Sequence, residues 1–195
     1  MLLHEARHAS RVDAAGELLL LEYQDRAAWD RGRIAEAQAL IERALGMRRI
    51  GPYLLQAAIA AVHVEAESAA ATDWTQIVGL YDTLRRIDPS PVVALNRAAA
   101  IGMQRGPAAG LRAIDELLEG GALQVYPLAH AARADMLRRL GHVAAARAAY
   151  ERALELTRQP AEQRFLAARL ASLAGEAGDC GACEGAPWSN PPCTC

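Results

Sequence analysis

From Asp25 to about Gly175 the apolar residues return every three or four positions, the spacing that gives a helix one buried stripe and one wetted face. Each run is short and is closed by Gly, Pro or Asp. The pattern therefore predicts about eight or nine helices joined by tight turns. DRAAWDRGRIAEAQALIERALGM predicts a short turn and then a long amphipathic helix ending near Gly46 or Met47. GPYLLQAAIAAVHVEAES follows, with Pro52 at a helix start, where its missing N–H does no harm. In TDWTQIVGLYDTLRRIDP, Asp73 is placed to cap the first turn and Pro89 to stop the last. The runs SPVVALNRAAAIGMQR, PAAGLRAIDELLE, VYPLAHAARADMLRRLG, HVAAARAAYERALELT and PAEQRFLAARLASLAG complete the series. Before Asp25 the pattern is less regular. LLHEARH reads as a first helix that starts without a cap, and RVDAAGELLLLEYQD as a small hairpin or loop around Ala15 and Gly16, the one candidate for β structure. The chain thus divides into a lead-in over residues 1–24, a helical domain over 25–175 and a flexible Cys-containing tail over 176–195.

Short helices joined by tight turns raise the question of repeats. In HAARADMLRRLGHVAAARAAYERALEL, a small residue at Ala134, Gly141 at the turn, and then Ala146, Tyr150 and Ala153 match the tetratricopeptide helix–turn–helix pattern. The reason is steric: the small residues let two helices approach closely, and Tyr150 fills the space towards the next pair. The second-helix signature recurs upstream at Ala37, Ile41 and Ala44, at Ile77, Tyr81 and Leu84, and more loosely at Gly110, Ile114 and Leu117. The intervals scatter around the tetratricopeptide period of about 34 residues. The expected fold is all-α, a tetratricopeptide-like α-solenoid in which neighbouring helix pairs bury each other's apolar faces.

Composition agrees. The chain is 52% apolar but only 5% aromatic, so its core is made of Ala and Leu, both strong helix formers. All 21 basic side chains are Arg, which reflects genome composition more than function. A net charge of −2 and a pI near 6.2 give no basic surface for phosphates, so a grip on DNA is not expected from this chain. The longest nearly apolar stretch, Leu54 to Val64, is too short to span a bilayer and contains Gln56 and His63. A cytoplasmic protein with no membrane contact and no cofactor is expected.

Two stretches carry candidate metal chemistry. HEARH at the N-terminus matches H-E-x-x-H, which would place His4 and His8 on one helix face with Glu5 beside them as general base. Arg7 between the histidines opposes a bound cation, and Arg11 stands where an extended motif has a third histidine. Glu36 or Glu42 are nominal distant ligands, and two solvent-facing histidines are the plainer reading. In the tail, Cys180, Cys183, Cys193 and Cys195 could form a tetrahedral thiolate site. Their spacing is only partly that of zinc sites, and an oxidation-prone tail is the alternative. The chain carries neither G-x-S-x-G nor a glycine-rich phosphate loop. His63 and His130 read as packing or groove residues rather than ligands, and Trp29 and Trp74, in first helical turns, as core residues rather than ligand-stacking ones. Asn96 and Arg97 lie on the first helix of a pair, which lines the concave surface of such solenoids. They are candidates for gripping a peptide, or else part of a solvated face.

MLLHEARHASRVDAAGELLLLEYQDRAAWD, GPYLLQAAIAAVHVEA and TDWTQIVGLYDTLRRIDPSPVVALNRAAA resemble the C-terminal extension of a group of bacterial extracytoplasmic-function RNA polymerase sigma factors. The similarity runs from residue 1 to about residue 174. In that group the segment matching LLHEARH usually has Asp for Glu5 and Arg for His8, which makes H-E-x-x-H an accident of this member. The resemblance implies a regulatory region that contacts RNA polymerase core and the sigma factor's own DNA-binding regions two and four. Those regions are expected upstream of Met1, and promoter DNA would be met only through them. The cysteine tail has no counterpart in the group. Gln24, Asp25, Arg26 and Asp30, a dense polar run around Trp29, are the expected contact residues, with Trp29 as anchor. The alternatives are a stand-alone tetratricopeptide adaptor using Asn96 and Arg97 and, more distantly, a zinc peptidase.

Overall fold

Five of the helices begin on a proline, whose fixed φ suits a first turn and whose missing N–H would have had no helical partner there. In a computed structural model, described over residues 2–11, 19, 21–48 and 50–178, these are α3 (Pro52–Glu65), α5 (Pro91–Arg105), α6 (Pro107–Glu119), α7 (Pro127–Arg139) and α9 (Pro160–Gly178). The others are α1 (Leu2–Glu5), α2 (Arg31–Gly46), α4 (Trp74–Ile87) and α8 (Val143–Leu156). Side-chain caps fix several starts. The Asp73 carboxylate accepts from the Gln76 N–H at 2.9 Å, and the Ser90 hydroxyl from the Val92 N–H at 3.3 Å. Between α5 and α6 the whole connection is Gly106, at φ +92°, a conformation that a side chain would strain.

Each helix packs chiefly on its neighbours in sequence, as a stack of helix pairs must. The buried residues accordingly form a series of separate cores. Leu55, Ile59, Ile77, Leu84 and Ile101 join α3, α4 and α5. Leu95, Ala98, Ile114, Ala129 and Met136 join α5, α6 and α7. Ala134, Ala146, Tyr150, Ala153 and Leu166 join α7, α8 and α9. The signature positions Ile77, Leu84, Ile114, Ala146 and Ala153 are all at most 1% exposed. The all-α helical repeat expected from the pattern is the fold observed.

One close helix contact involves two glycines. A Cβ placed on Gly110 would lie 2.6 Å from the Cα of Gly102 and 3.0 Å from Met136 Sδ. Here α5 and α6 meet backbone to backbone, with the Met136 thioether from α7 filling the notch.

The lead-in departs from expectation. The helix expected over LLHEARH stops at Glu5, and His8–Ser10 form a separate 3-10 turn. The run read as extended ends in another 3-10 turn, Leu21–Tyr23, while Ala15, Gly16 and most of the expected hairpin lie outside the described residues. No strand occurs among the described residues. Trp29 was expected in a first helical turn but lies just before α2, after a third 3-10 turn, Arg26–Ala28. No helix among the described residues is long and apolar enough to cross a membrane.

Candidate functional site

Asp25 and Asp30 are both N-caps. The Asp25 carboxylate accepts from the Ala27 N–H at 2.8 Å and starts the Arg26–Ala28 turn. The Asp30 carboxylate accepts from the Arg33 N–H at 3.0 Å, pairs with Arg33 Nε at 3.2 Å, and starts α2. Between them Trp29 is only 3% exposed, set against Leu3, Ala6, Ile34 and Val64. Its indole N–H donates to Ser10 Oγ at 2.9 Å, and that hydroxyl donates to the Arg7 carbonyl at 3.0 Å. The Asp30 N–H donates to the Ala6 carbonyl at 3.0 Å, tying the two sides of the lead-in together. Trp29 is thus the anchor of its loop.

Arg26 turns inward. Its guanidinium lies 4.7 Å from the centroid of the Trp29 ring, and that of Arg7 lies 5.8 Å away. Arg26 Nη1 donates to the carbonyls of His63 at 2.8 Å and Ala66 at 2.6 Å, which satisfies the C-terminus of α3 with a cation. Gln24 donates through Nε2 to the Leu19 carbonyl at 3.0 Å. Of the polar run expected to meet a partner, Asp25 and Asp30 present exposed carboxylates, whereas Gln24 and Arg26 are half-buried and turned into the fold.

The Arg26 contacts bear on His63. Burial, with Arg7 and Arg26 nearby, lowers its pKa from 6.5 to about 4, so the ring is neutral at pH 7. It meets Trp74 edge to face at 5.3 Å. His63 and Trp74 are packing residues, as read from the sequence, but they pack at the edge of a cavity. His130 bonds through its ring to the Gln124 carbonyl at 2.9 Å.

Asn96 and Arg97 sit apart from the Trp29 loop, on α5, the first helix of the α5–α6 pair. Asn96 is exposed, and Arg97 Nε is engaged by Asp82 of α4 at 2.6 Å. His4 and His8 do not share one α-helix, because α1 ends between them, and Arg7 Nη2 lies 3.3 Å from His4 Nδ1. Burial and Arg7 lower the His4 pKa. Among the described residues no group of three or more His, Cys, Asp or Glu is placed to hold a metal ion. Cys180, Cys183, Cys193 and Cys195 lie outside the described residues.

One surface escaped sequence reasoning. Leu40, Leu45, Met47, Ile50 and Tyr53 are between 43% and 87% exposed, a concentration of large apolar side chains around the α2–α3 turn. Beside them, Leu2, Leu3, Ile41, Leu54 and Ala57 line an open groove of about 620 Å³. The signal was present: α2 carries apolar residues at Leu40, Ile41, Ala44 and Leu45, a wider stripe than one neighbour covers.

A family of unknown function (DUF6596) matches residues 1–45, the lead-in with α1 and α2. A tetratricopeptide repeat model matches residues 127–160, which is the α7–α8 pair. An uncharacterized protein of Rhizobium meliloti (strain 1021) is 44% identical over 176 residues, 90% of this chain and 41% of the relative. The chain therefore spans well under half the length of that relative. No solved structure matches. A tetratricopeptide repeat within an all-helical stack is a fold typical of protein–protein interaction scaffolds.

Proposed function

We propose that the chain is the regulatory C-terminal region of a bacterial sigma factor, acting by protein contact in transcription initiation. The observation that carries the contact role is the exposed apolar surface of Leu40, Met47, Ile50 and Tyr53 beside the α1–α2–α3 groove. An apolar patch of this kind marks a surface that another protein covers. It adjoins the lead-in anchored by Trp29, one of the segments that carry the sigma-factor resemblance. In a sigma factor so arranged, the partners are core polymerase and the upstream DNA-binding regions. Asp25 and Asp30, exposed near the opposite end of α2 from Met47, supply a second, polar contact, with Gln24 and Arg26 supporting it from within. The relative's greater length fits a longer protein of which this region is one part. A cytoplasmic location follows from the same reading.

Blotting native extract with an antibody against this region tests it. A band much larger than 20.9 kDa that co-purifies with RNA polymerase is the expected result. A band at the chain's own mass, away from polymerase, overturns it and leaves a stand-alone adaptor whose exposed Asn96 faces a peptide. In the full-length protein, Tyr53→Arg and Asp25→Ala are expected to change transcription from a target promoter while leaving the helical circular dichroism intact.

A further inference from the structure

Helices α3, α4, α5 and α7, the α3–α4 connection and the lead-in together line an open cavity of about 270 Å³, away from the apolar groove. Its size suits a ligand of modest dimensions, near the lower end of small-molecule pockets. Leu21, Trp74 and Met103 give it apolar walls. Its charged lining is unbalanced: Arg26, Arg138 and Arg139 face a single carboxylate, Asp135.

That carboxylate is already engaged by α7 itself. Arg138 Nη2 donates to Asp135 Oδ1 at 2.9 Å, and Arg139 Nη1 lies 3.9 Å from Oδ2. Arg139 Nη1 also lies 2.9 Å from Met103 Sδ, a weak acceptor for a guanidinium. Among the described residues no carboxylate pairs with Arg26, whose two hydrogen bonds both use Nη1. Three buried polar atoms of the lining have no hydrogen-bond partner: Arg26 Nη2, Arg138 Nε and His63 Nδ1. Few buried polar groups in a folded protein are left so, and each such group asks for an explanation. Capping of α3 explains one nitrogen of Arg26 and the Asp135 pair explains one of Arg138. Neither supplies an acceptor for Arg26 Nη2, which lies on the guanidinium stacked on Trp29, or for Arg138 Nε, beside which the Tyr150 hydroxyl interacts with the same side chain.

We propose that this cavity is a binding site for a small organic anion, a carboxylate or phosphate ester held between Arg26 and Arg138 with its apolar body on Trp74, Leu21 and Met103. Small rotations of the guanidinium ends bring the two unpartnered donors onto the anion, where charge-assisted hydrogen bonds are strongest. His63, neutral at pH 7, adds an uncharged donor through Nδ1 in one tautomer. The site lies wholly within this chain and does not depend on the sigma-factor reading.

The test is calorimetric titration of the full 195-residue chain with phenyl phosphate, benzoate and phenol, three probes sharing one ring. The expected result is saturable one-to-one binding of at least one anion, tenfold or more tighter than phenol. The tighter anion names the headgroup class. Arg138→Gln should weaken binding tenfold or more. Ala69→Phe keeps every charge but fills the cavity from the wall and should abolish it. Arg112→Gln, exposed on α6, should leave it unchanged. If Arg138→Gln fails to fold by circular dichroism, Ala69→Phe decides alone. The proposal is overturned by no saturable binding of either anion, by equal binding of phenol, or by full binding in the Ala69→Phe chain.

Discussion

Between α5 and α6 the closest contact is backbone on backbone, at Gly102 and Gly110 with the Met136 sulfur alongside. Between the lead-in and α2 it is a ring in a socket: Trp29, held by Ser10 through a hydrogen bond and covered by the guanidinium groups of Arg7 and Arg26. The first kind of contact needs only small residues at helical spacing. It tolerates no added atom. The second is made of polar bonds between residues far apart in sequence, and it is made once. Helix-pair packing builds a stack of apolar joints between sequence neighbours, whereas the lead-in is a single fitting held by a handful of polar bonds. The lead-in should therefore open locally before the stack does.

The largest effect should come from the stack. Ile114→Ala empties a site that is fully buried between three helices, and should lower the global unfolding free energy by about 2–5 kcal/mol in urea titrations. Gly110→Ala tests the joint itself. The new Cβ must push against the Gly102 backbone, so a net loss of about 1–3 kcal/mol is expected from overpacking. That loss should appear despite the ~1 kcal/mol that Ala gains over Gly in helix propensity. Gly79→Ala, where a Cβ meets nothing within 4 Å, should instead stabilise by roughly 0.5–1 kcal/mol. If both glycine variants moved the same way, the close approach would not be what holds α5 to α6.

Acid should act on the seam between the two regions. His63 titrates at about 4 in the fold, well below its ordinary 6.5, because burial and the two arginines disfavour its cation. Its contribution is complete above pH 6.5 and is lost as pH falls towards 4, where the unfolded chain holds a proton that the folded chain does not. The loss should be ~1–2 kcal/mol, allowing for partial exposure of the ring. His63→Gln should flatten the pH dependence of the melting temperature in that window. His4, also lowered by burial and by Arg7, leaves a smaller residual slope.

Trp29→Phe keeps most of the ring but deletes the donor to Ser10. It should cost about 1 kcal/mol, read as faster amide hydrogen exchange in residues 2–11 and 26–34 with α4–α8 unchanged. The smallest effect belongs to a half-exposed ion pair. Arg97→Met removes a partner of Asp82 at 2.6 Å on the surface of α4 and α5 and should change stability by only ~0.2–1 kcal/mol.

The same contrast explains what could be read from the sequence. The helices, their proline starts, the Asp73 cap and the buried positions Ile77, Leu84, Ile114 and Ala146 follow from local spacing, and local spacing is visible in one chain. Trp29 could be recognised as an anchor because a lone aromatic in a polar run has few other uses. Its partners could not be recognised. Arg26 reaches the carbonyls of His63 and Ala66, nearly forty residues on, and no periodicity encodes a bond from a side chain to a distant helix end. The first helix was overread because Leu2, Leu3, Ala6 and the histidines fit a helical face, while the Trp29 socket requires the chain to turn after Glu5. The cavity was invisible for a related reason. Its lining comes from α3, α4, α5, α7 and the lead-in, and each residue alone looks like ordinary packing or an ordinary surface arginine.

Met136 ties the joint to the cavity. It fills the notch at Gly102 and Gly110, and its neighbours along α7 include Asp135, Arg138 and Arg139. A stack of repeats behaves like a flight of stairs cut from identical steps, where a shim under one tread tilts every tread above it. Two missing methyl groups between α5 and α6 thus act as a gauge, setting how far the arginines of α7 stand from Arg26 and His63 across the gap.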